Sequence, residues 1–120
     1  MELLQVAQHV DDLARATAFY RSLLGDPIAE YDPPGLVFFQ LGATRLLLDR
    51  AAPSALLYLR VADVAETVGT LRARGVEVHT EPHVVFKHQD DRLGPAGATE
   101  EHAFVRDSEG NLLGLVAQTV

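Results

Sequence analysis

Apolar and polar residues alternate in the run that opens the chain. In Leu3–Val10 (LLQVAQHV), Gln5, Ala7 and His9 fall on one side and Val6, Gln8 and Val10 on the other, the two-residue period of a strand. The period then changes. Leu13, Ala16, Tyr20, Leu23 and Leu24 recur at helical spacing, behind Asp11 and Asp12, whose carboxylates suit the free amides of a first helical turn. Gly25 ends this helix and Pro27 prevents its resumption. The same succession is written a second time. Leu56–Val61 is a strand, Asp63 with Glu66 is a capping-box-like start, Val64, Val68 and Leu71 are the apolar helix face, and Gly75 is the stop. Val10 corresponds to Val61, Asp12 to Asp63, Ala14 to Ala65 and Arg21 to Arg72.

Each copy is followed by further strands. Asp32-Pro33-Pro34-Gly35 is a turn, and Leu36–Leu41 and Arg45–Asp49 are strands joined across Gly42-Ala43-Thr44. Ala51-Ala52-Pro53-Ser54 joins the halves. In the second copy Val76–Thr80 and His83–Lys87 read as short strands. Ala103–Arg106 and Leu112–Val116 read as a hairpin across Asp107–Asn111. His88–Glu101 carries no period, and a segment of this kind is a lid, a binding loop or slack. The pattern predicts an α+β fold of two tandem βαβββ modules, whose half-sheets form a curved, mostly antiparallel eight-stranded sheet around a concave pocket. The whole of 1–120 forms one domain, with 1–50 as the first module and 55–120 as the second.

Composition narrows the function. A formal charge of −7 argues against nucleic acid, which needs a basic face. With no cysteine there is neither a disulfide framework nor a thiolate ligand or nucleophile, and a reducing cytoplasm fits best. MELLQVAQ has no basic n-region or cleavage site, and no apolar run approaches the ~20 residues that cross a bilayer, so no membrane partner is expected.

The second copy sets the facing of the first strands. Leu57, Leu59 and Val61 suit the helix side, which leaves Leu56, Tyr58 and Arg60 toward the concavity; by the repeat, Gln5, Ala7 and His9 face it too. Leu46 and Leu48, and Leu112, Gly114 and Val116, are expected to add apolar walls. An aliphatic pocket with a few convergent polar groups, here Gln5, His9, Tyr58 and Arg60, is the usual form of a small-molecule site.

HVDDLARATAFYRSLLG resembles the "v-D-l-x-r-a-x-x-F-Y-x-x-x-L-G" signature of the vicinal oxygen chelate superfamily, and FVRDSEGNLLGLV resembles its "F-x-D-P-x-G-N-x-x-x-L" ending. That superfamily contains glyoxalase I, bleomycin-resistance, extradiol-dioxygenase and methylmalonyl-CoA epimerase relatives. The resemblance implies paired βαβββ modules, a concave site and, often, a homodimer. It also implies where a metal would be held: carried over position by position, the four ligand positions fall on Gln5, Leu48, Leu56 and Gly114. Only Gln5 is a ligand type, and an ion needs at least three protein donors. No cofactor is therefore expected at the family positions, and Asp49, beside Leu48, is the one neighbour that could add a donor.

The expected ligand-binding set is Gln5, His9, Leu48, Leu56, Tyr58, Arg60 and Gly114. His9 is the candidate general base, and Arg60 the candidate anchor for a carboxylate or phosphate. His83, His88 and Glu101, among Asp90, Asp91, Glu100 and His102, form an alternative His/carboxylate set of a type that holds zinc, iron or manganese. The expected function is metal-independent binding of a small, partly apolar molecule by a cytoplasmic homodimer. The alternative is a lyase, isomerase or epimerase that uses His9 or the displaced metal set.

Overall fold

The computed structural model describes residues 1–120. It contains two compact units, Met1–Ala55 with Asp107–Asn111, and Leu56–Arg106 with Leu112–Val120. The first unit carries β1 (Gln5–His9), α1 (Leu13–Leu24), β2 (Ala29–Tyr31), β3 (Leu36–Leu41) and β4 (Thr44–Asp49). The second carries β5 (Leu57–Arg60), α2 (Val64–Ala73), β6 (Val78–Lys87), β7 (Thr99–Arg106) and β8 (Leu112–Thr119). This is the predicted pair of βαβββ modules. The strands form two four-stranded sheets, in the orders β1-β4-β3-β2 and β5-β8-β7-β6. In each, the first strand runs parallel to the last and the other pairs are antiparallel.

Both helices start as their sequences require. Asp12 accepts from the Arg15 amide at 3.0 Å and Asp63 from the Glu66 amide at 2.9 Å. Leu13, Ala16, Thr17 and Tyr20 form the buried face of α1, and Val64, Val68 and Leu71 that of α2. In the first unit the Tyr20 ring lies 6.2 Å from that of Phe39, whose register partner Leu46 is fully buried. In the second, Leu113, Leu115, Ala103 and Val105 are fully buried and share one face of the sheet by register. Each sheet thus has one covered face and one open face.

Several element boundaries differ from expectation. The three-residue edge strand β2, Ala-Glu-Tyr, is too short to carry a period. Val78–Lys87 is one strand rather than two, with register shifts around Thr80 and His83 and again between Val84 and Phe86. Pro82 lies within it because β6 is an edge strand, where a missing amide is tolerated. Finally, Thr99–Glu101 pairs with β8 as the start of β7, so the aperiodic segment is shorter than 88–101. Its ends are tied: the His88 amide donates to Ala98 O and the Gly97 amide to His88 O, both at 2.8 Å.

The turn Asp107–Asn111 packs with the first unit because its side chains bind α1 and β1. Asp107 accepts from the Tyr20 hydroxyl at 2.6 Å, from the Glu109 and Asn111 amides at 2.9 and 2.8 Å, and from Asn111 Nδ2 at 3.0 Å. Asn111 Nδ2 also donates to His9 O at 2.8 Å. Burial, and then the adjacent Asp107 carboxylate, push the Tyr20 hydroxyl well above its ordinary pKa, so it remains a donor. Gly110 takes φ +83°, which a side chain would strain.

Candidate functional site

On the second unit's open face, strand pairing aligns Tyr58 with Gly114 and Arg60 with Val116. It also aligns Phe104 with Gly114, His102 with Val116, and Glu100 with Gln118. Directly opposed residues share a face, so these side chains rise together from β5, β8 and β7. Phe86 from β6 and Leu93 from the 88–98 loop complete a cleft of about 350 Å³. Its apolar surface is exposed, with Tyr58 at 54%, Phe86 at 38% and Leu93 at 74% of full accessibility. Tyr58 lies over Gly114: a methyl group there would stand 2.7 Å from Tyr58 Cδ1, closer than atoms can pack. Gly114 therefore supplies room for the ring.

The polar floor is built around Glu100, which is 9% exposed. One carboxylate oxygen accepts from His88 Nε2 and from Gln118 Nε2, each at 2.9 Å; the other accepts from His102 Nε2 at 2.7 Å. Burial opposes the charge, but the bonds from Gln118, His102 and His88 outweigh it and hold the Glu100 carboxyl below its usual pKa. Since Nε2 of His102 donates, the neutral ring carries its lone pair on Nδ1. Gln118 Nε2 also donates to Leu93 O at 2.9 Å, which ties the loop to the floor, while its Oε1 faces Arg60 NH2 at 3.4 Å. Replacing Glu100 by Gln keeps the shape but turns one acceptor into a donor facing donors. We expect E100Q to lose about 1 kcal/mol in urea unfolding. A variant as stable as the parent would show that the carboxylate does not organise this floor.

The first unit presents a different open face. Gln5, Ala7 and His9 align with Arg45, Leu47 and Asp49. Gln5 Oε1 accepts from Arg45 Nε at 3.1 Å, and the Arg45 guanidinium lies 5.6 Å from the Phe38 ring centre. Both nitrogens of His9 are engaged, Nδ1 with Ala52 O and Nε2 with Asp11 Oδ1, each at 3.0 Å. Both partners are acceptors, so the protonated ring satisfies both contacts at once. The Asp11 bond accordingly raises its pKa. His9, the expected general base, thus has both ring nitrogens in contact with protein groups, and its ring joins β1 to the Ala52 segment.

Leu48 and Leu46 require correction. They align with Gln8 and Val6 and are fully buried on the α1 side, opposite to the face of Gln5 and His9. Leu46-Leu47-Leu48 is a uniform run, so no alternation marks which leucine faces which way; only the pairing with β1 decides it. Leu47 and Asp49 are the residues that share the face of Gln5. Leu56 precedes β5 and is 48% exposed.

The donors present do not fit the family's metal. Leu48, Leu56 and Gly114 offer no lone pair, and Gln5 is bonded to Arg45. Asp49 stands four residues along the paired strands from the Gln5 register, about 13 Å at the usual strand rise. The alternative set does not converge either. His88 is bonded to Glu100, and alternation places Glu101 on the other face of β7, aligned with Val84. His83 is exposed and bonds through Nδ1 to Glu81 O. No group of three or more His, Asp or Glu side chains converges as a metal site.

A larger cavity, about 610 Å³, lies on the first unit beside α1. Much of its polar lining is engaged, since Asp12 caps the helix, Asp11 holds His9 and Arg21 pairs with Asp26 at 3.2 Å, while Arg50 lines it beside the carboxylates of Glu30 and Asp32. The second-unit cleft keeps its guanidinium and its rings available. It thus brings together Tyr58, Arg60 and Gly114 of the expected residues. Glu100 and His102 were expected only within the alternative metal set and Gln118 not at all, because the expected strands stopped short of the 99 and 119 ends that bring these residues into register. The length of the alternating tail ATEEHAFVR was the available signal.

A sequence model described as the Glyoxalase/Bleomycin resistance protein/Dioxygenase superfamily matches residues 2–115. No curated protein matches the chain. Among solved structures, a member of the same superfamily from Sphaerobacter thermophilus DSM 20745 is similar at 23% identity and a TM-score of 0.72, covering 98% of this chain and 97% of that one. TnmS3, an antibiotic binding protein from Streptomyces sp. CB03234, is similar at 22% identity and a TM-score of 0.69, covering 99% and 97%. A glyoxalase-related enzyme from Fulvimarina pelagi is similar at 18% identity and a TM-score of 0.70, covering 98% and 88%. At these identities the likeness is one of fold. The family match and the paired βαβββ modules together place the chain in the glyoxalase/bleomycin resistance/dioxygenase superfamily.

Proposed function

We propose that this protein binds a small, partly apolar molecule in the second-unit cleft without using a metal ion. The observation that carries this reading is the cleft itself. About 350 Å³ is walled by the exposed Tyr58, Phe86 and Leu93 side chains over a polar floor whose hydrogen bonds are already made. The fold-level likeness to an antibiotic binding protein supports it. The test is ligand-observed NMR with a library of naphthalene-sized aromatic compounds in EDTA. Binders are expected in EDTA, and Gly114→Val should weaken them at least tenfold by driving Tyr58 into the cleft. Binding that requires added zinc, nickel or manganese, or that ignores Gly114→Val, would overturn it.

A second reading is favoured by one bond. Glu100 orients His102 as a carboxylate orients a catalytic histidine, leaving Nδ1 as the basic atom. Such a protein would exchange a carbon-bound ligand proton for solvent deuterium, and His102→Ala would abolish the exchange. This is the isomerase- or lyase-like alternative with His102 in place of His9.

The protein is further proposed to act as a cytoplasmic homodimer. The edge strand β6 exposes Val84 at 62% and Val85 at 43%, apolar surface that edge strands ordinarily avoid. No helix is long and apolar enough to cross a membrane.

A further inference from the structure

The cleft's charges are not balanced, and this names the ligand more closely. Glu100 has both oxygens bonded and is 9% exposed, so it has little left to offer a ligand. Arg60 is the reverse. It is exposed, makes no ion pair, and its one hydrogen bond is the 3.4 Å contact to the neutral Gln118 amide. Elsewhere on this unit the arginines that form ion pairs do so with carboxylates, Arg72 with Glu81, Arg92 with Asp90 and Arg106 with Glu77. An uncommitted guanidinium is a fork-shaped donor that fits a carboxylate with two parallel bonds. Three flat rings line the same cleft: Tyr58 is 5.7 Å from His102, and Phe86 stands at the rim. The adjoining cleft, which shares Phe86 and Leu93, adds Lys87.

We infer that the ligand is a planar aromatic molecule bearing a carboxylate, its ring against Tyr58 and Phe86 and its anion on Arg60. The inference rests on the proposed binding role of the cleft. The acidic chain as a whole does not oppose it, because at physiological salt charges beyond about 8 Å are largely screened and the contact at Arg60 decides.

The experiment compares three molecules of one shape by calorimetry in EDTA: 2-naphthoate, 2-naphthamide and 2-naphthamidine. 2-Naphthoate should bind at least tenfold more tightly than the amide, and the amidine weakest. Arg60→Met preserves the length of the side chain without its charge; it should weaken 2-naphthoate at least tenfold and make it equal to the amide. Arg60→Lys should restore part of the loss. If the amide or amidine binds as well as the acid, and Arg60→Met changes neither, the anionic class is wrong while the cleft remains a binding site. If none of the three binds at millimolar concentration, the binding role falls and the inference with it.

Discussion

Asp107→Ala should lower the unfolding free energy by about 3 kcal/mol and the melting temperature by on the order of 10 °C, the largest single loss expected outside the apolar core. The cause is what the carboxylate leaves behind. It is 6% exposed and takes the Tyr20 hydroxyl, the Glu109 and Asn111 amides and Asn111 Nδ2. Without it these donors face a void too enclosed for full hydration, and an unmet buried donor costs more than a made bond contributes. Asn111 would also lose the support that holds it on His9 O, the bond that fastens the turn to β1. Two milder variants calibrate the effect. Tyr20→Phe removes one donor and should cost about 1 kcal/mol, since Gln8 Nε2 is only 3.4 Å from that hydroxyl. Asp107→Asn should fall between. Urea unfolding of the three, followed by circular dichroism, gives the order directly. Asp107→Ala within 1 kcal/mol of the parent would mean that the turn is not anchored by this carboxylate.

The chain's duplication made much of the fold legible. Helix starts were marked by Asp12 and Asp63, which cap as their positions suggest. The facing of β5 was readable because Leu57 and Leu59 contrast with Tyr58 and Arg60, and the structure puts the latter pair in the cleft. What could not be read was long-range. Leu46-Leu47-Leu48 has no polar residue to betray its facing, so pairing with β1 alone fixes it. The contacts of His9 were hidden for the same reason, since its partners Ala52 and Asp11 are brought to it by the fold and the chain reversal, not by any motif. Glu100 and Glu101 are identical letters one residue apart. Only the register of β7 against β8 assigns the first to the cleft floor and the second to the far face. Local chemistry therefore predicted the elements, while the site depended on which residue of each pair the ladder turned inward.

The stability should also fall in acid through one identifiable group, Glu109. Its side chain is fully buried, where it accepts from the Asp11 and Asp12 amides at 2.8 and 2.7 Å and from Arg15 Nε at 2.7 Å. Burial alone would raise its pKa, but the Arg15 bond, the two amides and Ser108 outweigh this and bring it down from 4.5 to about 2. A carboxyl that is more acidic folded than unfolded stabilises the fold above its unfolded pKa, and that contribution disappears as the pH falls toward the folded value. Because Arg15 is about half exposed, solvent screens the pair, and the contribution is on the order of 2 kcal/mol. Glu109→Gln removes the titration while keeping the size. The stability difference between parent and E109Q should therefore be constant from pH 7 to about 5, shrink below 4.5, and approach zero near pH 2. Other carboxyls with depressed values, Glu100 and Asp90, titrate in both proteins and cancel in the difference. Urea midpoints at pH 7, 5, 3.5 and 2 measure it. A difference that stays unchanged down to pH 2 would show that Glu109 acts through its shape, not its charge, and would remove the electrostatic link between the turn and the start of α1.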